Sequence, residues 1–158
     1  MPIWFESRPE KDVPLAEALP IWAAAAVPIL VKYACTPWRY VTYAEFAQDL
    51  FKATGLITDR PLQRWPGEVL GMALNYCHEH KLPALSSLVV NGETGTCGVG
   101  FGKWHRKLGK EPIGEEAREK LAAELRTQCY QRYAGVPEDA QPFHTPIYLN
   151  YRIRGMGA

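Results

Sequence analysis

Metal-site spacing is missing from this 158-residue chain: it has no Cys-x-x-Cys and no His-x-x-x-His. Its four cysteines, Cys35, Cys77, Cys97 and Cys129, are scattered. A disulfide-stapled secreted scaffold is thereby excluded, and the thiols read as reduced residues of a cytoplasmic protein. The apolar run Leu19–Val31 is too short to cross a bilayer and is interrupted by Pro20 and Pro28. It is expected as a core helix, with no membrane partner. The residues before it mix Glu6, Arg8, Glu10, Lys11 and Asp12, unlike the basic start of a secretory signal. Strong charge of either sign is also absent: the formal net charge is +1, so no whole-molecule field draws the protein to a polyanion. Gly95, Gly98, Gly100 and Gly102 lack the Lys-Ser/Thr ending of a phosphate loop. No catalytic signature is complete and no cofactor is indicated.

With 47% hydrophobic and 22% charged residues the chain has the composition of a folded domain. Residues 1–14, polar and punctuated by proline, read as a flexible N-terminal arm, with a single domain over 15–158. The spacing predicts a first helix over Leu15–Ala34, kinked or split at Pro28. A short extended piece follows at Tyr40–Val41. Thr42-Tyr43-Ala44-Glu45 is a capping box opening a second helix, Thr42–Lys52, which Gly55 closes. Pro66–His80 is a third helix, with Val69, Leu70, Ala73, Leu74 and Cys77 facing inward. Leu85–Val90 is rich in β-formers, and the turn chemistry of Asn91-Gly92 through Gly95 predicts a hairpin returning through Thr96–Phe101. A basic run, Lys103–Lys110, comes next. Glu115–Tyr133 is expected as an amphipathic helix with Leu121, Leu125, Cys129 and Tyr133 inward. The alternation of Ile147, Leu149, Tyr151 and Ile153 predicts a final strand, with Arg152 and Arg154 on its outer face. The expected class is α+β: a winged-helix-like core over about residues 30–101, and a C-terminal helix and strand over 103–158.

Pro37-Trp38-Arg39-Tyr40-Val41-Thr42-Tyr43-Ala44-Glu45-Phe46-Ala47 and Glu68-Val69-Leu70-Gly71-Met72-Ala73-Leu74 carry a resemblance. The stretch of about residues 30–98 resembles the DNA-binding half of the alkylguanine-DNA alkyltransferases and alkyltransferase-like proteins. That family's patterns are Pro-x-Gly-Arg-Val-Thr-Tyr-Gly-x-Leu-Ala and Arg-Ala-Val-Gly-x-Ala-Leu. Its Pro-Cys-His-Arg-Val-Val segment lines up with Leu85-Ser86-Ser87-Leu88-Val89-Val90. The resemblance therefore places Ser86 where the family has its reactive cysteine, Ser87 where it has histidine, and Glu68 where it has the arginine that replaces a flipped base. Tyr43 retains the position of a phosphate-contacting tyrosine.

The leading expectation is a non-catalytic winged-helix protein that binds duplex DNA and recognises modified bases or targets a partner enzyme. Its expected contacts are Tyr43, Arg64, Asn75, His78, Lys103, Trp104, Arg106, Lys107 and Lys110. Lys and Arg would neutralise phosphates, and Trp104 would stack or wedge. The alternative is a protein-interaction module (an inhibitor, immunity or adaptor protein) on the same scaffold, favoured by near-neutral charge and by Glu68 on the helix that would approach the groove. A third class, a hydrolase or nuclease using His78, His80 or His105 with Glu79, lacks a carboxylate–metal cluster. Cys77-His78-Glu79-His80 reads as a core cysteine followed by solvated histidines. Incubation with DNA carrying an alkylated guanine should leave the intact mass of the protein unshifted, because a serine hydroxyl without a base is a poor nucleophile. A stoichiometric mass gain on Ser86 would contradict this.

Overall fold

The computed structural model describes residues 1–98, 100–101, 105 and 114–156. The architecture is mixed α and β, dominated by helices, with two small two-stranded sheets.

Helix α1, Leu15–Ala34, is the centre of the fold and packs against the next two helices. Ala18, Trp22, Ala26, Leu30 and Ala34 recur every four residues and are completely buried. The expected kink does not divide it. Pro20 and Pro28, and the residues four positions before them, Ala16 and Ala24, all lie on the exposed side. Water can there serve the carbonyls that a proline leaves without a partner. α1 is long and apolar enough to cross a membrane by length and composition, yet its buried stripe is taken up by protein contacts.

Helix α2, Tyr43–Thr54, begins at the predicted capping box: Thr42 Oγ1 accepts from the Glu45 amide at 3.3 Å, and the Thr42 amide donates to Glu45 Oε1 at 3.1 Å. Gly55 ends it at φ +69°, the left-handed conformation that glycine adopts without a Cβ penalty. Helix α3, Trp65–Glu79, buries the five predicted residues together with Trp65 and Pro66. The three helices meet at Trp22, Phe51 and Trp65, whose rings lie 4.5–6.4 Å apart. Such an aromatic cluster adds both area and specific geometry to the core.

The N-terminal residues are anchored. Strand β1, Ile3–Phe5, pairs antiparallel with β3, Leu56–Thr58, in the register Ile3 to Thr58. Ile3 is buried, and the Val13 amide donates to its carbonyl at 2.7 Å. The polar character of residues 1–14 hid one strand with apolar residues at its ends.

The predicted hairpin is not formed. Leu85–Leu88 is a 3-10 turn, in which Ser87 Oγ and the Ser87 amide both donate to the Ala84 carbonyl. Such local serine bonds compete with a strand ladder. Only Val89–Val90 is extended, as β4, and it pairs parallel with β2, Val41–Thr42. The turn itself forms: Asn91 Oδ1 accepts from the Glu93 and Thr94 amides, and the Asn91 amide donates to Thr96 O at 2.8 Å. After that closure none of the described residues up to His105 is a strand; Gly100, Phe101 and His105 are helical.

Helix α4, Gly114–Ala134, matches the prediction in position and in the burial of Cys129, but its buried face is only partly the expected one. Leu121 and Leu125 are only partly buried, while Glu119 and Arg126 are completely so. The predicted last strand is helix α5, Pro146–Met156. Thr145 Oγ1 accepts from the Tyr148 amide at 3.2 Å and Pro146 opens the first turn, a start signal that outweighs the alternation. Tyr148, placed by the alternation on the outer face, is the residue buried; Leu149 and Ile153 are exposed.

Helix α5 is locked to the 91–96 turn at Gly95. Thr145 Oγ1 donates to the Gly95 carbonyl at 3.1 Å, and Gly95 has φ +71°. A Cβ there would overlap the Tyr148 backbone nitrogen and Thr145 Oγ1. Gly95→Ala should therefore lower stability by roughly 1–3 kcal/mol. The urea midpoint should fall with an unchanged slope; an unchanged midpoint would show that the packing there yields freely.

Candidate ligand cavity beside the third helix

A cavity of about 710 Å³ opens between the N-terminal half of α3, the start of α2, the 3-10 turn and the 91–98 loop. Helix α3 presents Gly67 and Gly71, one turn apart, whose missing side chains leave open space, and Leu70 and Leu74 beside them. On the opposite side Tyr43 Oη accepts from the Gly98 amide at 2.8 Å, and a Cβ on Gly98 would come within 2.6 Å of that oxygen. The loop therefore reaches Tyr43 closely only because residue 98 is glycine.

Ser86 lines this cavity and is buried, with 5% exposure. Among the described residues its Oγ has no hydrogen-bond partner. A buried hydroxyl left unsatisfied costs about 1–3 kcal/mol, and such groups in a hollow mark where a ligand or water belongs. Cys97 lies beside it, its thiol pushed up to about 11, chiefly by burial. Burial also raises the Tyr43 phenol well above its ordinary value. At neutral pH the cavity thus presents protonated, uncharged groups. Glu93 is the one charged side chain among the described lining residues.

The turn bearing Ser86 is held from behind by a buried ion pair. Arg126 Nε donates to Ser87 O at 2.8 Å and Nη1 to Phe143 O at 2.7 Å. Its other donors reach Glu119 Oε1 at 3.3 Å and Oε2 at 3.4 Å. His144 Nδ1 lies 2.6 Å from Glu119 Oε2. Burial works against the Arg126 charge, but the Cys97 sulfur and the Glu119 carboxylate outweigh it and hold Arg126 above its ordinary value.

Of the expected DNA contacts, Tyr43 lines the cavity, Arg64 is exposed at the start of α3, and Asn75 and His78 are exposed on α3. Lys103, Trp104, Arg106, Lys107 and Lys110 lie outside the described residues. Cys77 is buried, and His78 and His80 are exposed. His105 is buried, with Nδ1 at 2.8 Å from Phe101 O. The cavity-forming Gly67 and the buried Arg126 are not among the residues that the sequence motifs single out, and Gly71 stands in a motif without being marked there as a cavity wall. The glycines carry a four-residue spacing that was legible; a charged residue on an apolar-spaced helix gives no such signal. No protein-family model, no curated protein and no solved structure matches this chain.

Arg126→Ala leaves Glu119 buried without its guanidinium and should cost about 3–5 kcal/mol in chemical denaturation. The double variant Arg126→Met with Glu119→Leu should cost less than the single one, since it removes both charges. A destabilisation below about 1 kcal/mol for Arg126→Ala would contradict the role given to the pair.

Proposed function

We propose that the protein binds duplex DNA without catalysing a reaction and holds an unpaired base in the cavity beside α3. In this reading α2 and α3 form the helix-turn-helix of a winged-helix-like core, and the 91–98 loop stands in place of the hairpin. The observation that carries it is Ser86, a buried residue on the wall of a hollow that α3 leaves open at Gly67 and Gly71, whose hydroxyl has no partner among the described residues. A nucleobase offers the planar apolar face that Leu70, Leu74 and Tyr43 can pack against, and ring-edge atoms that a neutral hydroxyl can pair. Among the described residues no base reaches Ser86, and Cys97 is held as a thiol, so neither side chain is activated there to form a covalent bond. The basic run Lys103–Lys110 would supply phosphate contacts.

A protein-interaction module is the second reading, and one observation favours it. Helix α3 carries no Lys or Arg, and Met72 and Tyr76 on it, with Leu62 before it, are exposed. A helix face that exposes Met72 and Tyr76 beside the carboxylate of Glu68, with no cation, suits a protein surface better than a phosphate backbone.

Fluorescence anisotropy with duplexes containing guanine or an alkylated guanine separates the two. Binding should weaken with salt. Replacing Lys103, Arg106, Lys107 and Lys110 by Ala should shrink the salt slope by roughly 0.9 for each phosphate no longer neutralised. Glu68→Arg should tighten binding, and Ser86→Ala should reduce the preference for the modified duplex about threefold to tenfold, the effect of one hydrogen bond. No salt-sensitive binding by the unaltered protein, together with no effect of Glu68→Arg, would overturn the DNA reading in favour of a protein partner.

A further inference from the structure

A second recess, of about 1250 Å³, lies against the same loop as the cavity. Gly92, Glu93 and Thr94 form one wall, and Asn150, Arg152 and Arg154 of α5 form the other. Gly92 and Glu93 face both hollows, so the two meet across a single turn of chain. Their relative placement is fixed, because Thr145 and Tyr148 hold α5 against Gly95.

The charges of the two hollows differ. Among the described residues the cavity is lined by no cation, and α3 has no Lys or Arg. A nucleotide whose base enters there finds no cation on the described lining to neutralise its own phosphates. The adjoining recess offers two guanidinium groups, with Glu93 on its wall and two further carboxylates bonded to its lining, Glu116 to Arg152 and Glu115 to Tyr151. Arg152 Nη2 donates to Glu116 Oε1 at 2.8 Å, but both side chains are at least half exposed. A pair so open to solvent holds weakly, and a phosphate matches the planar fork of arginine equally well. We infer that the recess between the 91–94 turn and α5 is a binding site for the phosphodiester backbone flanking the base in the cavity. The site rests on the DNA reading given above, and it gives that role to a helix where the sequence pattern predicts a strand.

The full-length protein is titrated into the two fluorescent duplexes at several salt concentrations, with circular dichroism to confirm folding. Arg152→Ala with Arg154→Ala should weaken binding to both duplexes alike and reduce the salt slope by up to roughly 1.8, two phosphates at about 0.9 each. Glu93→Gln should tighten binding, by removing the carboxylate that faces the strand. Salt-sensitive binding that neither substitution alters would overturn this site while leaving the DNA reading intact. Absence of DNA binding by the unaltered protein would overturn both. Should the double variant fail to fold, Glu93→Gln decides alone: tighter binding supports the site and unchanged binding overturns it.

Discussion

A single guanidinium organises the irregular half of this molecule. The 3-10 turn and the segment around Phe143 belong to neither sheet nor helix ladder, so their carbonyls need partners from elsewhere. Arg126 supplies them, donating to Ser87 O and Phe143 O while its charge is met by Glu119 at 0% exposure for both side chains. Arginine alone offers a fork of five donors that can serve two carbonyls and a carboxylate at once. An apolar residue of similar volume would satisfy the packing and orphan the carbonyls. The desolvation cost of the pair is thus offset by hydrogen bonds that the backbone itself requires.

From that node the cavity follows. With the Ser87 carbonyl tied to α4, Ser86 is fixed at the cavity surface and Val89–Val90 is aligned to pair with Val41–Thr42. That short parallel pair in turn sets Thr42 at the start of α2, and with it Tyr43, which accepts from Gly98. Helices α1 to α3 provide the rigid wall through the packing of Trp22, Phe51 and Trp65. A change at Arg126 should accordingly reach the cavity without touching α3.

The regular helices were legible because their signals are local. The capping box at Thr42, the glycine at 55 and the spacing of Val69, Leu70, Ala73, Leu74 and Cys77 are read within one or two turns. Local signals mislead where partners are distant. Leu85–Val90 has the composition of a strand, but no antiparallel neighbour forms; Ser87 bonds locally and Arg126, 39 residues away, takes its carbonyl. Ile147–Ile153 alternates like a strand, but Thr145 and Pro146 start a helix and only Tyr148 finds a core to enter. Residues 1–14 looked unattached because their partner strand begins at Leu56. The resemblance singled out Ser86, but not that its hydroxyl would be buried and unpartnered among the described residues, since burial depends on α4.

The chemistry of the cavity limits how any occupant is held. Among the described residues its hydroxyl has no partner, its thiol is protonated, and its tyrosine is neutral at physiological pH. Groups of this kind exchange hydrogen bonds with an occupant. Selectivity then comes from fit and from the cost of leaving Ser86 unpaired. A base edge that pairs with the hydroxyl recovers that cost, whereas an apolar group of the same size does not. The same reasoning applies to a protein side chain inserted from a partner. Phosphate is different: with Glu93 the only formal charge on the described lining, an anion gains nothing by entering. In the DNA reading, the charged backbone would run outside the cavity, beside the neighbouring cations.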